Sequence, residues 1–129
     1  MRQQYVYINI YLYSYISIWL YKVMDTFTAL AEPSRRTLLN AMLHAPSTVT
    51  MLVEVSGLSQ PAVSKHLKYL REAELVIVRP EGQKRWYHVN PEPLRDLELF
   101  LEPYRAFLND RLDALERHLD QHPEKDYEP

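Results

Sequence analysis

Cysteine is absent from the 129 residues. That excludes disulfides and thiolate metal sites, and it is compatible with a reducing cytosol, the expected location of the chain. Glycine occurs only twice, so there is no glycine-rich loop to cradle a phosphate, and no H-E-x-x-H motif is found. No Ser/His/Asp order stands out. The many carboxylates of the C-terminal part fall on a helical surface, where solvation accounts for them. The chain is therefore expected not to be an enzyme and to need no cofactor. At this length one compact domain with a real core is the default. No internal repeat is visible.

Charge is unevenly spread, although the formal net charge is only −2. Residues 58–90 hold six Lys/Arg against three Asp/Glu, while residues 91–129 hold five against eleven. A basic middle and an acidic tail fit a local anion-binding face, with a different task for the tail.

The first 23 residues, "MRQQYVYINIYLYSYISIWLYKV", stand apart. No charge occurs between Arg2 and Lys22, and six of the ten tyrosines lie here. The run is about long enough to span a membrane. It is too tyrosine-rich for a signal peptide, and no A-x-A cleavage site follows. Tyr11, Tyr13 and Tyr15 alternate as in an exposed strand. The favoured expectation is an over-translated or disordered extension ahead of a start at Met24. An extra strand, an interfacial helix and a membrane anchor are the alternatives, and no membrane contact is expected unless the segment is an anchor.

The remainder reads as mainly α with one small β-hairpin. "DTFTALA" (25–31) is a short helix that Asp25 or Thr26 can cap, and Glu32-Pro33 breaks it. Pro33 suits the first turn of "PSRRTLLNAML", with Leu38, Leu39, Met42 and Leu43 on one face. "HAPST" is a loop. "VTMLVEVSG" is a short helix with Leu52, Val53 and Val55 apolar, ending at Gly57. Ser59 caps the next helix, Pro61 sits in its first turn, and Val63, Leu67 and Leu70 form its core stripe. Val76 and Val78, then Trp86 and His88, bracket "RPEGQKR" as two strands around a turn. From residue 91 a helix carries apolar positions 94, 97, 101, 104, 108, 112, 115 and 119. Pro103 predicts a kink or two abutting helices there, and residues 123–129 read as a flexible tail. The working domain is thus expected over 24–122.

One helix buries Val63, Leu67 and Leu70 and turns Gln60, Pro61, Ser64, Lys65 and Lys68 outward. Gln can pair with adenine in the major groove, and Lys can reach guanine or a phosphate. Gln60, Ala62, Ser64 and Lys65 are candidate base readers near the helix start, and Lys68 a phosphate contact. Gln83, Lys84 and Arg85 at the hairpin tip would lie on the adjoining backbone or minor groove. The two glycines fall where a helix-turn-helix with a wing would need them. Double-stranded DNA is the expected partner, bound through a recognition helix at 59–73 and a wing at 76–89. A winged-helix module used only for protein pairing and a membrane-tethered regulator are the alternatives.

Together, "FTALAEPSRRTLLNAML", "SGLSQPAVSKHLKYLREAELV" and "EGQKRWYHVN" resemble the ArsR-type winged helix-turn-helix repressors over about residues 25–90. The resemblance implies a homodimeric repressor of a palindromic operator, often its own promoter. It places Gln60, Pro61, Ser64, Lys65 and His66 in the recognition helix and Gly82–Arg85 in the wing, with Ser59 at the helix cap. Metal-sensing members carry cysteines in the helix equivalent to "TVTMLVEVSG", or His and acidic ligands in the last helix. This chain has no cysteine, so it resembles the branch without metal-site cysteines. His118 and His122 stand at i, i+4, which can grip a metal, but a polar helix end suits their charge and no metal site is expected. His66 is read as a packing or phosphate-contacting residue, and His44 and His88 as ordinary. Phe27, Leu30, Leu97, Leu101, Tyr104, Leu108, Leu112 and Leu115 supply more apolar surface than one small domain can hide, and are the expected homodimer interface.

Overall fold

The computed structural model describes residues 2–123. In order these form α1 (Arg2–Ala31), α2 (Pro33–His44), α3 (Val49–Ser56), α4 (Gln60–Glu72), β1 (Val76–Glu81), β2 (Lys84–Val89) and α5 (Pro91–Gln121). The chain divides into two compact units, with the boundary between Leu97 and Glu98. The first holds the core. Leu38, Leu39 and Met42 of α2 meet Leu52 of α3 and Val63, Leu67 and Leu70 of α4, with Ala29, Leu75, Val76 and Tyr87 completing the cluster. The second unit is the α5 backbone from Glu98 onward, where every described residue from Leu101 to Pro123 is exposed.

Local chemistry explains where these elements stop and start. Pro33 has no N–H to contribute and opens α2. The Glu32 carboxylate accepts from the Ser34 N–H at 3.2 Å. That bond holds the Glu32 carboxyl below its ordinary value, with Arg35 and His66 adding their charge in the same direction. The last carbonyls of α1, orphaned by the break, are taken up by two arginines. Arg35 donates to the Ala29 and Thr28 oxygens at 2.7 and 3.0 Å, and Arg36 donates to those of Leu30 and Ala31 at 2.7 and 3.1 Å. The Arg35 guanidinium also lies 4.0 Å from the Tyr69 ring centre, so one side chain ties α1, α2 and α4 together. Charged hydrogen bonds of this kind are worth about 1.5–3 kcal/mol, and a partly exposed cation–π contact roughly 0.5–1. Arg35→Ala is expected to lower stability by about 2 kcal/mol. Urea unfolding followed by circular dichroism measures it, and a change below about 0.5 kcal/mol would show that water replaces the arginine at no cost.

Thr48 caps α3, its Oγ1 accepting from the Met51 N–H at 3.3 Å. Gly57 ends that helix with φ of 69°, a left-handed conformation that glycine adopts without steric penalty. Ser59 caps α4 in the same manner as Thr48, through Ala62 N–H at 3.3 Å. The far end of α4 closes differently. Leu75 N–H donates to Leu70 O and Glu74 N–H to Arg71 O, both at 2.9 Å, with Glu74 at φ 61°. This is a Schellman closure, and the fully buried Leu70 and Leu75 supply its apolar clasp. The left-handed position is held by glutamate instead of glycine, which strains the backbone by about 1 kcal/mol. Glu74→Gly is accordingly expected to raise stability by roughly 0.5–1 kcal/mol despite the more flexible unfolded chain. A lower thermal midpoint for this variant would mean that the strain is already relieved.

β1 and β2 pair antiparallel with Val76 opposite Val89 and Val78 opposite Tyr87. Glu81 pairs with Lys84, so Gly82 and Gln83 form a two-residue turn. Gly82 has φ of 63° and Gln83 is not in the positive region, the pattern of a type II′ turn with glycine first. Ser47 extends this ribbon. It exchanges two backbone hydrogen bonds with Tyr87 at 3.1 and 2.9 Å, which pins the hairpin to the residues just before α3.

Several sequence expectations are corrected. The helix predicted over 25–31 is the last part of α1, which begins at Arg2, so neither Asp25 nor Thr26 caps it. The alternating tyrosines lie in this helix rather than in a strand. Among the described residues no helix is long and apolar enough to cross a membrane. Val23, one residue before Met24, is 1% exposed. Leu43 is exposed and lies off the face assigned to it with Leu38, Leu39 and Met42, and Val55 is exposed as well. "HAPST" is not purely loop, because Ser47 bridges to Tyr87. In β2 the buried side chain is Tyr87, with Trp86 and His88 half-buried on either side of it. α5 runs through Pro103 as one helix, so the abutting-helices option fails. Of the tail expected at 123–129, residues 124–129 lie outside the described residues.

Candidate nucleic-acid interface

α4 divides cleanly into two faces. Val63, Leu67 and Leu70 are at most 1% exposed and hold the helix against α2 and α3. At 100° per residue, Pro61, Lys65 and Lys68 project from the opposite side, with Ser64 on its flank. All four are exposed, as is Gln60 at the helix start. The rigid core thus fixes the direction of each donor, as a base-reading helix requires. Ala62 is half-buried, and its N–H is occupied by the Ser59 cap. Ser59 itself is exposed, but its hydroxyl is already engaged as acceptor. His66 is half-buried, and at 100° per residue it lies off the donor face of α4.

Gln83, Lys84 and Arg85 are exposed at the wing tip. The Lys84 ammonium lies 6.0 Å from the Trp86 ring centre, at the outer limit of a cation–π contact. Both ion pairs found among the described residues involve Arg105 of α5. Within that set, then, no carboxylate neutralises Lys65, Lys68, Lys84 or Arg85, and their charge is available to an outside anion.

The sequence reading missed a third contributor. The first turn of α3 and the wing enclose an open groove of about 540 Å³, lined by Thr48, Thr50, Met51 and Glu54 on one side and Gln83, Lys84, Arg85 and Trp86 on the other. Thr48 and Thr50 add small hydroxyl donors to the wing's cations. The visible signal was the Thr48 cap ahead of the apolar run. What placed it beside the wing was the Ser47–Tyr87 bridge, and a single-residue bridge leaves no periodicity to read.

The expected dimer residues differ in exposure. Leu30 packs against the core cluster, and Leu97 is half-buried. Phe27 is 41% exposed, and Leu101, Tyr104, Leu108, Leu112 and Leu115 are exposed along α5. Phe107 and Leu119, which the reading did not include among the dimer residues, are exposed as well. His118 and His122 approach with ring centres 4.6 Å apart, and the His122 Nδ1 lies 3.0 Å from the His118 carbonyl oxygen. Among the described residues no group of three or more potential metal ligands occurs.

Comparison with known proteins bears on this arrangement. The family model described as "Bacterial regulatory protein, arsR family" matches residues 32–78, from the α2 cap to the first residues of β1. The HTH-type transcriptional regulator Rv2034 of Mycobacterium tuberculosis is 40% identical over 76 residues, covering 59% of this chain and 71% of that protein. The arsenical resistance operon repressor of Staphylococcus aureus is 35% identical over 78 residues, 60% of this chain and 75% of its own length. Among solved structures, NolR from Sinorhizobium fredii superimposes with a TM-score of 0.54 at 29% identity, covering 66% of this chain and 86% of that one. With its helix-turn-helix, wing and these relatives taken together, the chain belongs to the arsR family of bacterial regulatory proteins.

Proposed function

We propose that this chain is a homodimeric, sequence-specific DNA-binding repressor that acts in the cytoplasm on a palindromic operator, its own promoter being the first candidate. The observation that carries the reading is α4, whose apolar stripe is locked in the core while an unneutralised donor face points outward. Gln60, Ser64 and Lys65 read base edges in the major groove, and Lys68 holds a phosphate. Lys84 and Arg85, with Thr48 and Thr50 across the groove, grip the adjoining backbone. The working unit of this reading is residues 24–122, with α5 and the Phe27 side of α1 forming the pair. A two-fold pair matches two half-sites and doubles the number of phosphate contacts. The acidic α5 stays off the DNA, because carboxylates repel phosphates.

The test is fluorescence anisotropy with a duplex from immediately upstream of the chain's own gene and a shuffled duplex as competitor, at fixed near-physiological salt. Preference for the upstream duplex by on the order of 10³ is expected. Equal and weak binding to both would count against autoregulation. An absence of any salt-dependent binding would point to a module for protein pairing.

A further inference from the structure

From Tyr5 to Tyr21 the first helix has no polar side. Thirteen aliphatic or tyrosine side chains in this stretch are 38–77% exposed, and no charged residue lies between Arg2 and Lys22. At 100° per residue the six tyrosines leave no arc of the helix wider than about 80° without a phenol, and the same holds for the aliphatic side chains. Val23, Thr26 and Ala29, the buried residues of α1, all lie beyond the stretch. The backbone polar groups of a helix are bonded within it, and the Ser14 hydroxyl donates to the Ile10 carbonyl at 2.9 Å, so few groups here depend on water.

A helix that is apolar on every side is ordinarily surrounded, either by the interior of a large protein or by a bilayer. A partner helix or sheet covers one arc and would leave the rest in water, whereas lipid takes in the whole circumference. The stretch is about 24 Å long, shorter than the hydrocarbon core of about 30 Å, and no helix among the described residues is long and apolar enough to cross a membrane. Its composition matches the boundary between acyl chains and headgroups instead. Tyrosine favours that boundary because its ring is apolar and its hydroxyl is polar. Arg2 and Lys22 are exposed at the two ends of the uncharged run, placed to meet lipid phosphates there. Interfacial helices commonly carry a row of cations along their polar face. With no such row, attachment draws on apolar burial and not on lipid charge.

We infer that residues 5–21 of α1 lie in the boundary between headgroups and acyl chains of a phospholipid bilayer, and hold the chain at a membrane surface without crossing it. The inference stands apart from the DNA-binding reading, which uses α4 and the wing.

Flotation of the full chain with phosphatidylcholine vesicles tests it. The chain is expected to float with these uncharged vesicles, and its partition coefficient to change less than about threefold between low and high salt or on adding phosphatidylglycerol. Ile10→Glu/Tyr13→Glu and Ile8→Glu/Tyr15→Glu charge opposite sides of the helix, and each is expected to lower partitioning at least about tenfold. Loss in only one of the two would mean that a single face matters, as in a protein contact, and overturns the lipid assignment. So does a parent chain that stays in the dense fractions. Lys65→Ala/Lys84→Ala/Arg85→Ala should float like the parent. If it does not, the donor face is the lipid contact and the assignment to α1 falls. A second readout needs no change in α1. Trp86→Phe leaves Trp19 as the sole tryptophan, and vesicles with brominated acyl chains should quench its emission at least about twofold, since ring and bilayer interior meet at this depth. Unchanged emission overturns the inference.

Discussion

Replacing Lys65, Lys84 and Arg85 together by alanine will weaken operator binding at physiological salt by on the order of 10²–10³ and flatten its salt dependence. The three cations are exposed, and a homodimer presents each twice. Every phosphate contact contributes roughly 0.9 to the slope of log affinity against log salt, so the loss of Lys84 and Arg85 from both copies should lower the slope by up to about 4. Titrations at several salt concentrations read this directly. Gln60→Ala should behave differently, costing about 1–3 kcal/mol on the preferred duplex while leaving the salt slope unchanged, because base contacts release no counterions. A triple variant that keeps both affinity and slope would show that DNA does not use this face. The fold would survive either way, since none of the three residues belongs to the core.

Leu67→Ala should produce the largest loss of stability of any variant considered, about 3–4 kcal/mol. Leu67 is 1% exposed within the α2–α3–α4 cluster. Truncating such a leucine removes its transfer energy and leaves a cavity, and the usual range is about 2–5 kcal/mol. Against a total of roughly 5–15 kcal/mol for a domain, that is enough to lower the folded fraction markedly at 37 °C. Leu43→Ala is the matched control. Leu43 is 60% exposed, and its loss should stay within about 0.5 kcal/mol. Urea unfolding of the two variants separates the structure from the sequence periodicity, which put both leucines on core faces. Because Leu67 faces away from Lys65, DNA affinity per folded molecule should change little. A comparable loss in both variants would mean that α2 is seated differently.

The central elements were legible because their signals are local. Ser59 before Pro61, the Val63–Leu67–Leu70 stripe, Gly57 and Gly82 each encode a cap, a face or a turn within a few residues, and the structure places all of them as read. The failures share a cause. The end of α4 was not marked by glycine, because Glu74 occupies the left-handed position of its Schellman closure. The docking of the hairpin depended on Ser47, which bridges Tyr87 from forty residues away in sequence. Tyr87 is the β2 residue buried in the core cluster. Arg35 and Arg36 carry no local signal of their role, and their hydrogen bonds to the end of α1 follow only from how α2 turns back across it.

The sequence by itself determined the class of the fold and the chemistry of the donor face, since capping, periodicity and charge are properties of neighbouring residues. It also determined that no thiol chemistry is available. Tertiary structure alone decided which cations among the described residues stay out of ion pairs, and that the α3 turn shares a groove with the wing. Those outcomes depend on distances between segments far apart in sequence, and only packing sets such distances.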